Sequence, residues 1–152
     1  MKYTREILDA FWVIGMEGST REGGDMIGRL WEKANSRFGE VSQLALKDEN
    51  GAPRVWGLMS DMSRSFRPWE DGFTQGLYLA GIEVASDAQP PEGWVKWRSP
   101  AYEYLVAEPG EGEGFGDAIA YLAAQGLSLA GAAYDRTIPG AGCRIYLPIR
   151  RI

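Results

Sequence analysis

Apolar and polar positions change period along this chain, and the changes mark its elements. The run "FWVIGMEG" (11–18) is short and almost wholly apolar, which predicts a strand. Over 24–39, "GDMIGRLWEKANSRFG", the residues Met26, Ile27, Leu30, Trp31, Ala34 and Phe38 recur at helical spacing. That predicts a helix with Asp25 at its N-cap and Gly39 at its C-terminal stop. "SQLALKD" (42–48) and "PRVWGLMSD" (53–61) then flank "ENGA", where Asn50-Gly51 is a strong hairpin signal because both residue types tolerate positive φ. After a looped insertion, "RSFRPWEDGF" (64–73), the segment "QGLYLAGIEVAS" (75–86) reads as another strand.

The second half repeats the theme. "WVKWRSPAYEYLVAE" (94–108) is strand with a proline interruption. "GEGFGDAIAYLAAQG" (112–126) is a helix with Phe115, Ile119 and Leu122 on one face and Gly126 to end it. "LSLAGAAYDRTI" (127–138) and "CRIYLPIRR" (143–151) follow as strands joined by "PGAG". Each half runs strand, helix, strand, strand, a repeat of element order more than of residues. The expected fold class is α+β: duplicated strand-helix-strand-strand halves, a largely antiparallel sheet with two main helices, and a ligand cleft between the halves.

Composition narrows the function classes. A chain of 152 residues suits one domain with a respectable core. Acids and bases interrupt the N-terminal stretch, and no run approaches the roughly 18 apolar residues of a membrane span, so a cytoplasmic protein with no membrane partner is expected. The net charge of −5 and a pI near 4.8 oppose the phosphate attraction that drives nucleic-acid binding. The first strand-like stretch begins near residue 8, which leaves no helix-turn-helix segment ahead of the domain, and direct DNA binding is not expected. There is no histidine, which removes the usual general base and metal ligand along with the Ser-His and Cys-His nucleophile pairs. Neither a metal nor a cofactor is implied, and haem would need Tyr or Cys143 as its axial ligand. Cys143 is the single cysteine and reads as a small buried strand residue. Six Trp, seven Tyr and five Phe exceed what such a core requires and, with scattered acids, suit a pocket for flat, apolar or cationic molecules.

Glu83 in "LAGIEVA", Glu103 in "AYEYLV" and Asp135 in "AAYDR" interrupt otherwise apolar strands. An isolated buried charge is costly, so each acid either lies on a wet face or faces a positive partner. Alternation sets Tyr102, Tyr104 and Val106 on one side and Glu103 with Leu105 on the other. It leaves little clearly wet face for Glu83, and Arg136 offers Asp135 a plain surface explanation. With three such acids and no histidine, recognition of a cation by a carboxylate is the most natural chemistry.

Several stretches in order carry a resemblance. Trp56-Gly57, "AGIEV" (80–84), the strand from Pro100 to Val106, Tyr134-Asp135 and "IYLPI" (145–149) resemble the GyrI-like small-molecule-binding family. This is the effector-binding domain of multidrug-sensing transcription activators, also found as free-standing DNA gyrase inhibitory proteins. The resemblance covers nearly the whole chain, so it implies a single domain over 1–152 with a pocket between the halves. It also implies lipophilic cations held by aromatic rings around one acid, a role that falls on Asp135 beside Tyr134. Aromatic pocket positions carry over to Trp56, Tyr104 and Phe115. A family tyrosine on the last strand falls at Cys143, another near the first helix at Met26 or Ile27, and the acid is Asp where the family more often has Glu. Without ligand, Asp135 is expected to take up a proton or to borrow an internal partner such as Arg144.

Three functions compete. The leading one is a free-standing binding protein that senses or sequesters hydrophobic, cationic compounds, with Asp135, Tyr134, Trp56, Tyr104, Phe115, Glu83 and Trp69 as ligand-binding candidates. The second is a hydrolase of strained electrophiles, with Glu103 or Asp135 as base and Tyr104 or Tyr134 as acid or orienting donor. The third is a protein-interaction role with a regulator or DNA gyrase as partner. "EPGEGEG" (108–114), the one dense acidic stretch, reads as a solvated loop. In the insertion, Phe66, Trp69 and Phe73 either close over the pocket as a lid or staple their loop to the sheet.

Overall fold

A computed structural model describes residues 1–152. The strands are β1 (Lys2–Leu8), β2 (Phe11–Ser19), β3 (Val55–Ser60), β4 (Leu77–Val84), β5 (Val95–Ser99), β6 (Tyr102–Glu108), β7 (Tyr134–Ile138) and β8 (Gly142–Arg151). Two helices, α1 (Met26–Ser36) and α3 (Phe115–Ala124), flank a four-residue turn, α2 (Glu70–Phe73). The strands form one sheet in the order β1-β6-β8-β7-β3-β4-β2-β5 with every neighbouring pair antiparallel. The fold class is α+β, as the hydrophobic pattern predicts.

The duplicated halves are β2-α1-β3-β4 and β6-α3-β7-β8, and they join where β3 pairs with β7. Each half is then extended by a strand from the other side of the molecule. β1, just ahead of β2 in the chain, pairs with β6, while β5, just ahead of β6, pairs with β2. The proline interruption at Pro100 is therefore a crossover: the stretch 94–108 is two strands in different halves. Pro suits that break, since it donates no ladder hydrogen bond.

Both faces of the central strands are buried, for different reasons. On one face, α1 covers Ile14, Met16, Tyr78, Ala80 and Ile82, while α3 covers Leu105, Ala107, Ala133, Ile145 and Leu147. The other face carries no main helix. There the sheet curls on itself around Phe11, Trp56, Leu58, Trp97, Tyr102, Tyr104, Tyr134 and Tyr146. Trp56 meets Phe11 at 4.8 Å and Tyr146 at 5.0 Å between ring centres, the spacing of attractive offset and edge-on pairs. Removing one such ring costs about 3–5 kcal/mol, so this aromatic layer is a main source of the fold's stability.

Several boundaries differ from the pattern reading. The first strand is β1, not the run starting near residue 8; "KYTREIL" is an edge strand whose charges hide its period. "SQLALKD" is not a full strand: 42–44 is a short 3-10 turn, and only Ala45 and Lys47 make isolated bridges, to Val84 and Pro53. The turn after it is real, with Asp48 Oδ1 accepting from the backbone N–H groups of Asn50 and Ala52 and with Gly51 at φ 80°. β7 begins only at Tyr134, because the residues before it hydrogen-bond to Phe66 and Met59. Asp25 occupies the α1 N-cap, yet its side chain pairs with Arg29 at 3.1 Å and does not cap, and the helix ends at Ser36, ahead of Gly39.

Candidate functional site

The helix-covered face leaves a gap over the β3–β7 seam, because α1 and α3 sit on separate halves. That gap is a cavity of about 570 Å³. Its floor comes from Met59, Tyr78, Ala133, Asp135, Cys143 and Ile145, and its sides from Ile27 and Trp31 of α1 and Phe115 of α3. Asp135 is the carboxylate on the floor. Its register neighbours are Gly57 and Ile145, so it projects to the helix side while Tyr134 and Arg136 project to the other.

One relay holds the acid. Trp31 Nε1 donates to the Tyr78 hydroxyl at 3.1 Å, and that hydroxyl donates to Asp135 Oδ2 at 2.7 Å. The contact requires Gly57, since a Cβ there would collide with the Tyr78 hydroxyl and approach Asp135 Oδ2 to 2.6 Å. Burial pushes the Asp135 carboxyl up to about 6, with the Tyr78 hydrogen bond opposing the rise. The Tyr78 hydroxyl is driven well above its ordinary value, first by burial and then by the Asp135 charge, so it stays a donor. Cys143 is exposed where the sequence suggests a buried residue, because it sits at the open end of β8 beside the turn; partial desolvation and the Asp135 charge still push its thiol up, which keeps it neutral. A second carboxylate, Glu113, lines the cavity but accepts from the Met1 ammonium at 2.9 Å and from Gly110 N–H. The floor thus offers one acid whose only protein partner is a neutral hydroxyl.

The residues singled out from sequence fall into two groups. Asp135, Phe115, Cys143 and Ile27 come together around the cavity, and Tyr134 lines it too, although its ring packs on the opposite side. Trp56, Tyr104, Glu83 and Trp69 do not reach it. Trp56 and Tyr104 belong to the aromatic core on the far face, where Trp56 Nε1 donates to Glu83 Oε1 at 2.9 Å. Arg54 holds the other Glu83 oxygen, also at 2.9 Å, so that acid is already paired. Glu103 pairs with Arg150 at 3.0 Å near the sheet edge. The Tyr134 hydroxyl shares a hydrogen bond with Ser99 at 2.8 Å inside the far core. Arg144 pairs with Glu108 at 2.7 Å, and the internal partner of Asp135 is Tyr78. Met26, the first residue of α1, is buried against Gly18 of β2.

Of the insertion aromatics, Trp69 staples its loop: its Nε1 donates to Leu77 O at 2.9 Å, and its ring lies where a Cβ on Gly76 would be. Phe66 packs on Trp97 on the far face, with ring centres 5.7 Å apart. Sequence reasoning missed Tyr78 and Trp31, which read as ordinary core positions. The available signal was chemical: a buried Tyr or Trp carries a polar tip that must find a partner.

No protein-family model matches the chain. A curated relative, the transcriptional regulator BrlR of Pseudomonas aeruginosa, is 30% identical over 97 residues, which is 64% of this chain. The matched part spans 31% of that regulator's length. Solved structures match over the whole chain. SAV2435 bound to tetraphenylphosphonium superposes with a TM-score of 0.68 at 15% identity, covering 99% of this chain and 94% of that one. The fold is GyrI-like. The C-terminal domain of EcmrR agrees, with a TM-score of 0.65 at 14% identity over 99% of this chain and 98% of its own. This GyrI-like fold explains the paired helices and the seam between them. No helix is long and apolar enough to cross a membrane.

Proposed function

We propose that this chain is a small-molecule-binding domain that takes hydrophobic cations into the cleft over the β3–β7 seam, with Asp135 as counter-charge. Such a domain serves a regulator as its sensor or acts by sequestering the compound. The observation that carries the reading is the Asp135 carboxylate, facing an aromatic and apolar cavity with a neutral tyrosine as its only partner. A cation about 4 Å from that carboxylate gains roughly 4 kcal/mol at an effective dielectric near 20. A ring such as Phe115 or Trp31 adds about 0.5–2 kcal/mol by cation–π attraction. Burial within the fold already bears part of the acid's desolvation, which raises its pKa, while the cation's own desolvation offsets part of the Coulomb term. That SAV2435 was solved with tetraphenylphosphonium supports the same ligand chemistry here.

The test is calorimetric titration of wild type and Asp135→Asn with tetraphenylphosphonium and with its neutral relative triphenylphosphine oxide. The cation is expected to bind wild type at least tenfold more tightly than the variant, while the neutral compound separates the two proteins by less than threefold. Equal losses for both compounds, or none for the cation, would overturn the reading.

A further inference from the structure

We propose that Phe73 is a ligand-contacting residue of this cleft, supplied by the first half, which shuts the cavity mouth against Phe115 of the second half and parts from it to admit a ligand. The inference rests on the small-molecule reading above. Its first support is position. The Phe73 ring meets the Phe115 ring edge-on, with centres 5.6 Å apart, and Phe115 lines the cavity. On the opposite side, Ile27 lines both the cavity and a small recess shared with Trp69 and Thr74. The loop that carries Phe73 therefore reaches from the α1 wall to the α3 wall.

The second support is exposure. Phe73 is 38% exposed and is the only aromatic among the large apolar side chains left open to solvent. A ring serving the core alone would be covered. The third is backbone conformation. Asp71, Gly72 and Phe73 have φ of 53°, 65° and 65°, a run of left-handed residues that a bulky side chain such as Phe rarely joins. Strain of this kind persists only where its surroundings impose it, and it clusters at ligand clamps. Here the base of the loop imposes it. Trp69 Nε1 is bonded to Leu77 O, Thr20 and Gly76 exchange hydrogen bonds of 3.0 and 3.1 Å, and Glu70 N–H donates to Gln75 O at 2.8 Å. The tip has no such anchors to the second half beyond the ring pair, so base and tip are built differently: one fixed, one held by a single aromatic contact.

The geometry also names a ligand feature. A flat ring or an onium group entering between Phe73 and Phe115 meets aromatic surface from both halves while its charge lies toward the floor, where Asp135 sits. Phe73 then selects for compounds with a planar arm and governs how long they stay.

The experiment is stopped-flow measurement of tetraphenylphosphonium binding and release, followed by tryptophan quenching, on the full chain as wild type, Phe73→Ala, Phe73→Leu, Phe73→Tyr and Asp135→Asn. Phe73→Ala should release the cation at least tenfold faster than wild type, Phe73→Leu by an intermediate factor, and Phe73→Tyr at the wild-type rate. A release rate in Phe73→Ala and Phe73→Leu equal to wild type would overturn the clasp while leaving the Asp135 site standing. No binding of the cation to wild type would overturn both readings together.

Discussion

Gly57 stands directly opposite Asp135 in the β3–β7 pairing, and the side chain it lacks is the space in which the Tyr78 hydroxyl reaches Asp135 Oδ2. Substitution by alanine puts a methyl group there. Gly57→Ala is expected to cost about 1–3 kcal/mol by overpacking and to break the tyrosine–carboxylate contact. Chemical denaturation measures the first effect. A cost below about 0.5 kcal/mol would show that the sheet relaxes around the methyl.

Asp135 makes stability fall as pH rises, opposite to the usual carboxylate. Its folded pKa, about 6, lies above the ordinary 3.8, so the folded state holds the extra proton between those values. Its contribution is fully present below about 3.8, is lost across the window, and is gone above about 6. The total is about 3 kcal/mol. Other acids, such as Asp61, titrate in the opposite sense, so the comparison must be made against Asp135→Asn. The variant should gain melting temperature over wild type by several degrees more at pH 7.5 than at pH 4.5. A constant difference would mean that the carboxyl is not shifted.

The same titration governs binding. A cation prefers the ionised acid, so affinity for tetraphenylphosphonium should climb as pH rises through about 6 and level off above it. Titrations in buffers of different ionisation heat should show proton release below that point. Asp135→Asn should flatten the profile.

Tyr78→Phe removes the one donor to Asp135 and the acceptor of the Trp31 indole. The loss should cost about 1–3 kcal/mol, as expected when buried polar groups lose partners. Because the tyrosine bond opposes the upward shift of the acid, its removal should also move the midpoint of the affinity profile to higher pH. An unmoved midpoint would mean that water replaces the hydroxyl.

Asp61, at the end of β3, is 3% exposed, and its carboxylate gathers the Ser60 and Ser63 hydroxyls and the Ser65 backbone N–H. Those bonds outweigh burial and leave its carboxyl below the usual range. Asp61→Ala should cost about 1–3 kcal/mol and loosen the loop that seats Phe66 on Trp97. Faster amide hydrogen exchange at Ser65 and Arg67 would register that loosening.

How much of this was legible follows from where polar signals sit. The helix faces of α1 and α3 and the order of elements could be read because their periods are regular. β1 escaped because an edge strand carries charge on both sides of its pleat. For the site, alternation tells which residues of one strand share a face, yet β3 and β7 are covered on both faces. Nothing in "VWGLMS" or "YDRTI" says which side is the cleft. Hence Trp56 and Tyr104, which the family resemblance sets in the pocket wall, lie in the far core, whereas Gly57, with no side chain at all, shapes the floor. Tyr78 and Trp31 were hidden because a polar tip shows its partner only in three dimensions.

The crossed edge strands carry a last consequence. Since β1 completes the second half and β5 the first, neither half separates from the other without unzipping a ladder. The molecule is in effect an exchanged dimer of two small units whose linker has become the stretch around Val84–Val95. Two fragments cut in that stretch would each arrive lacking an edge and carrying the one its partner needs, so they should fold only on meeting.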